Sequence, residues 1–533
     1  MTVNAPIADM TTRESSTARL KRACATGTGR LILLALVSAA ITIMYRPFSQ
    51  PEGGDAAIYD YIAQSILRGQ VPYRDVADIK GPFAPQLSAA AMAIGSVIGI
   101  RDIIAVRSLH VVLVCLLSVL TFLVAEVYLR SRAAGLIAVL IPLMFSTYLE
   151  MMVGGTQPKL PMMIFGMLSL IMIAKDRPFW AGFSSMLSCL CWQPGLLFAG
   201  VAFLIFSGYL SSWRDLRAIK VLAGAILPLA VTLAYFYWRG ALEEMWAWTI
   251  TYNYSVFGPA AKKSFADASQ HLWRITQRVF QIDVVMLGIS TLGLLIFLVE
   301  RLRVKGRGSL RAPDLFRDAI ALAPLIYLGF CFINIQSGPD LIPLVPFIGI
   351  FGGWMFVQAG RTAARSGYAQ KAASRPRLEA VVSGAAMGVI LLVSLYRGAA
   401  YRIEGWTLGA QYRAMESLST LLAPDDRIYV HGAVEILTLL NRPNLNPYVF
   451  LDWGADEFAA VRRNTSFSSL IEEMEAQAPK LVSITRLGKV RHRAELEKWV
   501  EDHYQQMTPG YEGIYMRRSD DMTTRIASVL TGH

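Results

Sequence analysis

The chain has 533 residues, of which 54% are hydrophobic and 17% are charged, and its mean hydropathy is +0.42. Soluble globular proteins are less apolar and more highly charged, so the composition excludes that class and predicts a membrane protein. The formal net charge of +12 does not indicate a nucleic-acid partner, because the basic residues are spread through short segments between apolar runs.

The first apolar run, residues 31–45, is interpreted as a retained anchor, because RPFSQPEGG follows it and no small-residue cleavage site does. Similar runs recur along the chain at about the length that a bilayer-spanning helix requires. They predict a polytopic α-helical membrane protein with about eleven spanning helices. The predicted spans are 31–46, 106–128, 134–150, 159–174, 178–192, 194–210, 219–238, 283–299, 318–333, 340–358 and 378–397.

The orientation depends on residues 84–100, which can either cross the membrane or lie on it as a short interfacial helix. Without this crossing, 18 basic residues share the side of the N-terminus, against 8 with it. The tail 1–30 is itself basic, which favours the first alternative and a cytoplasmic tail. Residues 31–397 then form the transmembrane domain of a plasma (inner) membrane protein, with a first external loop at 47–105 and an external segment at 398–533.

The external segment changes pattern from long apolar runs to short ones. Four short apolar stretches alternate with helical patterns and predict strands at 427–432, 447–452, 480–486 and 512–518. This pattern indicates a small α/β domain. It contains no glycine-rich nucleotide motif, so its expected role is to cap a site above the membrane.

The first external loop contains a short amphipathic helix. Ile58, Ile62 and Ile66 recur at helical spacing opposite a polar face that includes Asp60, and Gly69 suits a C-terminal cap. The pattern predicts a helix that lies on the membrane surface with its polar face in water.

Asp55 and Lys80 are the candidate catalytic residues of this loop. Asp55 at the helix start is equally well explained as an N-cap, and Lys80 as an ordinary interfacial lysine in IKGPFAP. Together they suit a reaction between a lipid-linked phosphate and a hydroxyl, since lysine offers positive charge and a carboxylate accepts a proton.

The order of anchor helix, GDAAIYDYIAQSILRGQVPYRDVADIKGP and interfacial apolar run resembles the first loop of the GT-C glycosyltransferases. It is most similar to bacterial relatives of the protein O-mannosyltransferases and the lipid A aminoarabinose transferase. The resemblance covers the whole chain in layout but only this loop in motif.

The resemblance implies an inverting enzyme that moves a sugar from a polyprenyl-phosphate donor to a hydroxyl of an envelope acceptor, a glycolipid, polysaccharide or protein. Asp55 matches the family's acidic residue after the first helix, and Lys80 matches its phosphate-holding lysine. The expected partners are the donor, the bilayer and the acceptor. No cofactor is required by anything in the sequence, and the need for a divalent metal stays open.

Two positions depart from the family pattern. Gly81 replaces the usual proline, which is expected to be a minor change, and Gln157 occupies the place of a second acid. Glu150 is the nearest substitute, seven residues earlier. Either Glu150 assists, or Gln157 only hydrogen-bonds the sugar, or activity is weakened.

Further substrate-binding candidates are Tyr59, Asp78 and Lys159, although a lysine at a helix end is more often a simple interfacial anchor. Weaker candidates are the aromatic stretch 240–282 and the polar side chains Gln336, Asp340 and His431, the last of which is expected to be a strand end. Two other functions remain open: a transporter or flippase of lipid-linked glycans, against which the absence of repeat-related halves argues, and a catalytically silent glycolipid-binding protein.

Overall fold

The computed structural model describes residues 27–208, 216–305, 315–365, 375–507 and 513–518. Most of the predicted cytoplasmic tail therefore lies outside the described residues. The helices before the C-terminal domain are α1 Gly27–Met44, α2 Gly54–Leu67, α3 Phe83–Val97, α4 Asp102–Leu129, α5 Arg132–Met144, α6 Ser146–Val153, α7 Lys159–Ala174, α8 Pro178–Cys191, α9 Leu196–Phe206, α10 Leu216–Trp238, α11 Leu242–Trp246, α12 Gly258–Ala261, α13 Phe265–Phe280, α14 Val284–Lys305, α15 Ala319–Asn334, α16 Val345–Arg365 and α17 Arg375–Ala400.

Among the described residues, seven helical stretches are long and apolar enough to cross a membrane, or eight if the bent pair α5 and α6 counts as one span. The seven are Gly27–Ser49, Asp102–Leu129, Leu216–Trp238, Phe265–Arg303, Phe316–Asn334, Gly338–Ala364 and Leu378–Ala400. The multi-pass architecture is thus confirmed. The count of eleven stays a prediction, because its other four spans fall on the bent pair and on the shorter helices α7, α8 and α9.

A break in the helical backbone separates the short helices α8 and α9. Between α8 and α9 the backbone is extended at Trp192 and then forms a 3-10 turn, Gln193–Gly195, because Pro194 cannot continue the hydrogen-bond ladder of α8. Within a membrane, irregular backbone is tolerated where it lines a cavity or is covered by protein. Trp192 and Gln193 both contact residues of the candidate site described below.

The connection between α10 and α14 is helical and not an open loop. It consists of α11, an eleven-residue π-helix at Ala247–Phe257, and the helices α12 and α13. A π-helix of this length is rare, and π-type turns occur frequently at functional sites. The aromatic composition of 240–282 gave no signal for this conformation.

The C-terminal domain contains the helices and strands α18 Leu408–Ser419, β1 Ile428–His431, α19 Glu435–Leu440, α20 Ala455–Arg462, α21 Phe467–Ala476, β2 Leu481–Ile484, α22 Arg493–His503, β3 Tyr504–Gln506 and β4 Ile514–Arg517. The sheet order is β1-β2-β4-β3, with β1 and β2 parallel and the other neighbours antiparallel. This confirms a small α/β region and places His431 at the end of a strand.

The predicted strand 447–452 is wrong. Pro447 has no N–H to donate to a ladder, and the amide of Tyr448 donates instead to the side chain of Asn446 at 2.9 Å. The carbonyl of Pro447 accepts from the amide of Ala77 at 2.9 Å, so this segment joins the C-terminal domain to the loop between α1 and α4. β3 was not predicted, since its three residues, YQQ, carry no apolar alternation.

The prediction that α2 exposes a polar face to water is also wrong. Asp60 and Gln64 are 0% and 3% exposed, because Thr156, just before α7, packs on the Asp60 carboxylate and the C-terminal domain covers Gln64. The Gln64 side chain donates to the carbonyl of Thr438 at 3.0 Å, and the Thr438 hydroxyl donates to the carbonyl of Ala57 at 3.2 Å. Sequence periodicity identifies the two faces of a helix but not what covers each face.

Candidate active site

Asp55 lies in the first turn of α2, and its carboxylate contacts Lys80. Gly53 occupies the N-cap position, and no side chain caps the helix, so the interpretation of Asp55 as an N-cap is wrong. Its Oδ2 lies 3.3 Å from Nζ of Lys80, and the two side chains are 61% and 15% exposed. The Lys80 charge, acting against desolvation, holds the pKa of Asp55 below its usual value, so the carboxylate is ionised at neutral pH.

Lys80 lies in a tight turn whose backbone is held by several side chains. The Asp78 carboxylate accepts from the amides of Ile79 and Lys80 at 2.7 and 3.2 Å, and the Tyr73 hydroxyl donates to the carbonyl of Lys80 at 2.7 Å. Burial raises the pKa of Asp78 to about 6, with the Lys80 charge opposing it. We call residues 78–81 the Lys80 turn.

Two residues from distant parts of the chain complete this support. Gln193, in the break between α8 and α9, and Asn253, in the π-helix, both donate to the carbonyl of Ile79, at 2.7 and 2.9 Å. Sequence reasoning missed both, because neither lies in a motif. The Lys80 turn is therefore positioned by backbone hydrogen bonds that do not depend on the lysine charge.

Gly81 allows the Lys80 turn to pack directly on the end of α8. A β-carbon at this position would lie 2.1 Å from the carbonyl oxygen of Leu190, well inside van der Waals contact. The substitution of glycine for the family's proline is therefore not minor in this chain. It sets how closely the turn approaches α8.

Tyr59 forms one wall beside the Asp55–Lys80 pair. Nζ of Lys80 lies 4.9 Å from the centre of its ring, within the range of a cation–π contact. Burial opposes the charge of Lys80, but Tyr59, Asp55 and Asp78 together outweigh it and raise the pKa of the lysine above its ordinary value. Lys80 therefore carries a permanent positive charge.

Lys159 is buried in an ion pair. Its Nζ lies 3.2 Å from Oδ1 of Asp340 and 4.5 Å from the centre of the Trp192 ring, and the lysine side chain is 3% exposed. Asp340 is held in turn by the amides of Gln336 and Ser337. Lys159 also lies near enough to Asp55 for its charge to lower that carboxyl's pKa. Asp340 is thus joined to the site through Lys159.

The two candidates for the second acidic position are in different surroundings. Gln157 is 8% exposed, and its backbone N–H donates to Nε2 of His110 at 3.0 Å. Its side-chain oxygen has no hydrogen-bond partner among the described residues. Glu150 instead accepts a hydrogen bond from the Tyr401 hydroxyl at 2.9 Å, where the C-terminal domain begins. The structure therefore leaves Gln157 with a free buried acceptor and gives Glu150 a partner.

A second charged group lies beside α2 and is closed to solvent: Glu52 precedes this helix, Asp60 is on it and Arg107 is on α4. Glu52 and Arg107 form an ion pair at 2.9 Å with both side chains 0% exposed, and the guanidinium also donates to the carbonyls of Pro47, Gln50, Pro51 and Gly154. Asp60 accepts from the amide and hydroxyl of Thr156. Burial raises the pKa of both Glu52 and Asp60, and their nearness to each other adds to the effect at Glu52, so the pair retains a proton.

The arrangement can bind an anion and accept a proton within one small volume. Lys80 offers a fixed positive charge, Asp55 offers an ionised and partly exposed carboxylate, and Tyr59 closes one side. Within the described ranges, no group of three or more His, Cys, Asp or Glu side chains could hold a metal ion.

No family model matches the sequence, and no curated protein matches it by sequence. Solved structures do match its fold. ArnT from Cupriavidus metallidurans bound to undecaprenyl phosphate has a TM-score of 0.61 and 10% identity, over 93% of this chain and 99% of that one. The Archaeoglobus fulgidus oligosaccharyltransferase tethered to an acceptor peptide has a TM-score of 0.52 and 12% identity, over 93% and 75%.

A further match is the Archaeoglobus fulgidus oligosaccharyltransferase AglB in complex with an inhibitory peptide and a dolichol-phosphate, with a TM-score of 0.51 and 12% identity over 92% and 74% of the two chains. These proteins are GT-C glycosyltransferases, and the chain has their fold. The predicted resemblance is confirmed at the level of fold.

Proposed function

We propose that this protein is a glycosyltransferase that moves a sugar from a polyprenyl-phosphate donor to a hydroxyl of an envelope acceptor, with inversion at the anomeric carbon. The observation that carries the proposal is the Asp55–Lys80 pair, 3.3 Å apart in the loop after α1. The fold adds support, because ArnT in the matched structure is bound to undecaprenyl phosphate. Fold alone does not specify function, so the residues of the site bear the main weight.

Lys80 binds the donor phosphate and stabilises the charge that develops on it as the bond to the anomeric carbon breaks. Its backbone is already fixed by Asp78, Tyr73, Gln193 and Asn253, so little reorganisation is needed when the phosphate arrives. Asp55 takes the proton of the acceptor hydroxyl as that oxygen attacks.

Donor binding also changes the basicity of Asp55. In the free protein Lys80 lowers the pKa of this carboxyl. A phosphate that draws the lysine charge towards itself weakens that effect, so the carboxylate becomes a stronger base only after the donor is bound. Asp55 would then remove the acceptor's proton only when the donor is in place.

The remaining candidates have supporting roles in this proposal. Gln157 offers its unpaired side-chain oxygen to a sugar hydroxyl, and Lys159 adds positive charge near the donor phosphate while it stays paired with Asp340. Tyr59 packs beside the sugar. In this proposal the positive charge of Lys80 stabilises the donor phosphate without a metal ion. Transfer assays with and without EDTA test whether a metal ion takes part.

The proposal includes the orientation, with the N-terminus in the cytoplasm and the C-terminal domain outside. Ser468 is exposed on α21, so a cysteine introduced there into a cysteine-free background is accessible on the side where the domain lies. An impermeant maleimide should label this variant on intact spheroplasts. Labelling only after lysis would reverse the orientation and move the site to the cytoplasmic face.

The activity test uses the purified full-length protein with a polyprenyl-phosphate sugar. Comparing envelope glycolipids and glycoproteins from cells with and without the gene by mass spectrometry identifies the acceptor as the molecule that lacks one sugar. Transfer to that acceptor in vitro supports the enzyme. Donor binding without transfer or hydrolysis would instead support the silent glycolipid-binding alternative, and movement of intact donor across vesicles would support the flippase.

A further inference from the structure

A cavity whose wall does not include Asp55 or Lys80 lies between the C-terminal domain, the first loop and the α11–π-helix segment. Its volume is about 350 Å³, and it is lined by Tyr73 of the first loop, Glu244 and Trp248 of the α11–π-helix segment, and the C-terminal domain. We call it the lower cleft. A volume of this size falls within the range of small-molecule sites, about 300 to 1,000 Å³.

Five charged residues line the lower cleft, and each is already in an ion pair: four pair with each other, and Arg74 pairs with Asp75 at 2.8 Å. Arg462 lies 2.8 Å from Glu244, and Arg463 lies 2.8 Å from Glu473. A phosphate or other strong anion would have to compete with these carboxylates. The cleft therefore suits a neutral ligand with many polar groups better than an anion.

The other lining residues are a mixture of hydrogen-bonding and apolar groups. Asn446, Tyr448 and Gln477 offer amide and hydroxyl groups, while Trp248 and Met474 form apolar wall. Nε of Arg462 is buried and has no hydrogen-bond partner among the described residues. Donors and acceptors beside an aromatic surface are the chemistry that a sugar ring requires, with its hydroxyl edge and apolar face.

Tyr73 connects the lower cleft to the Lys80 turn. It lines the cleft, and its hydroxyl donates to the carbonyl of Lys80 at 2.7 Å. Its φ is 72°, a left-handed conformation that costs a tyrosine energy and persists only where the surroundings enforce it. A strained residue that bridges a cavity and a reactive turn points to a functional connection between them.

We propose that the lower cleft is a saccharide-binding subsite that holds part of the acceptor while its reactive hydroxyl lies at Asp55. This inference rests on the proposed function. The acceptor is assigned to the cleft because most of its wall belongs to the C-terminal domain, whereas the donor phosphate must reach Lys80 from the membrane. The acceptor class that follows is a glycan or glycolipid with at least one sugar beyond the residue that is modified.

The test compares two arginines that each form an exposed ion pair. Arg463→Ala breaks the pair with Glu473 inside the cleft, and Arg493→Ala breaks the pair with Glu497 on α22, outside the cleft. Exposed ion pairs contribute little to stability, so both variants should fold. Binding of the purified full-length protein to an array of immobilised bacterial oligosaccharides is measured directly and does not require activity.

We expect wild type to bind at least one arrayed saccharide, Arg463→Ala to bind it about tenfold more weakly, and Arg493→Ala to bind it normally. Failure of wild type to bind any saccharide, or normal binding by Arg463→Ala, overturns the subsite. In transfer assays Arg463→Ala should raise the acceptor KM and leave the donor KM unchanged. A raised donor KM would overturn the assignment to the acceptor, whereas saccharide binding without any transfer by wild type would count against the proposed function alone.

Discussion

Two pairs of opposite charges lie near the same helix, α2, and they differ in exposure and in what they hold; the first is within the first loop, and the second joins Glu52 of that loop to Arg107 of α4. In the Asp55–Lys80 pair the carboxylate side chain is 61% exposed. In the Glu52–Arg107 pair both side chains are 0% exposed, and the guanidinium also binds carbonyl oxygens of two different loops. The first pair is open to a ligand, and the second is enclosed by protein.

In the proposed function, this difference in exposure separates a reactive pair from a structural one. The closed pair joins the chain before α2 to Gly154, in the connection between α6 and α7. Loss of the pair would therefore release both segments. The open pair holds little, since the Lys80 turn is fixed through the carbonyls of Ile79 and Lys80. Exposed pairs contribute little stability, so the open pair calls for a chemical explanation.

The largest expected effect comes from the open pair. Asp55→Asn should lower turnover by about two to four orders of magnitude, because the proton acceptor is lost, while the melting temperature stays unchanged. Lys80→Met keeps the side-chain stem beside Tyr59 but removes the charge, so donor affinity and turnover should both fall. Turnover, donor binding and thermal unfolding of the purified protein measure these effects separately.

Asp102→Asn is the matched control, since Asp102 lies at the far end of the same loop and accepts a hydrogen bond from Gln64. It should retain turnover. If Asp55→Asn works at the normal rate with an intact fold, Asp55 is not the base and the open pair has no catalytic role.

Breaking the closed pair should have the opposite signature. Arg107→Met leaves Glu52 buried without its counter-ion and orphans several carbonyl oxygens, so we expect a loss of about 3 to 5 kcal/mol in stability. Expression and thermal unfolding measure it. A well-folded Arg107→Met protein with no activity would show that this pair, too, acts in the reaction.

Variants of Gly81 test whether the open pair depends on the position of the Lys80 backbone. Gly81→Pro restores the residue that relatives carry, yet we expect it and Gly81→Ala to reduce turnover about ten- to a hundredfold, because an added β-carbon displaces the Lys80 turn from Leu190. Gly200→Ala is the control, since nothing lies within 4 Å of an added β-carbon there. Unchanged or higher turnover in Gly81→Pro would show that the turn tolerates the shift.

A smaller effect is expected at Gln157. Gln157→Ala should raise the donor KM about tenfold, since one hydrogen bond to the sugar is lost, whereas Gln157→Glu should retain or increase transfer. Kinetics with Glu150→Gln alongside distinguish the two candidates. An inactive Glu150→Gln with a normal Gln157→Ala would assign the acidic role to Glu150.

The sequence predicted those features that a local pattern determines. Long apolar runs predicted the multi-pass fold, and Gly69, with its φ of 85°, predicted the end of α2. The loop motif singled out Asp55 and Lys80, which the structure brings together, while their roles stay a prediction. It did not predict the surroundings of these residues, because Gln193, Asn253 and the cover over Asp60 come from chain segments far away in sequence. Contacts of this kind have no local signature in the sequence. For the same reason the replacement of the expected proline by Gly81 was predicted to be minor, since the sequence does not show that this residue packs against Leu190.

The smallest expected effect is a pH dependence of stability that comes from Asp60, a buried carboxyl close to Glu52 of the closed pair. Burial raises the pKa of Asp60 to about 6, from about 3.9 in an unfolded chain. Between these values the unfolded state releases a proton that the folded state retains, so the contribution of Asp60 to stability should be fully present below about pH 4 and be lost as the pH rises through about 6. In Asp60→Asn the side chain can still accept from Thr156 and donate to Glu52, so much of this slope should disappear while the fold is kept. Thermal unfolding of both proteins between pH 4 and 7 measures the two slopes, and equal slopes would show that Asp60 does not hold the retained proton.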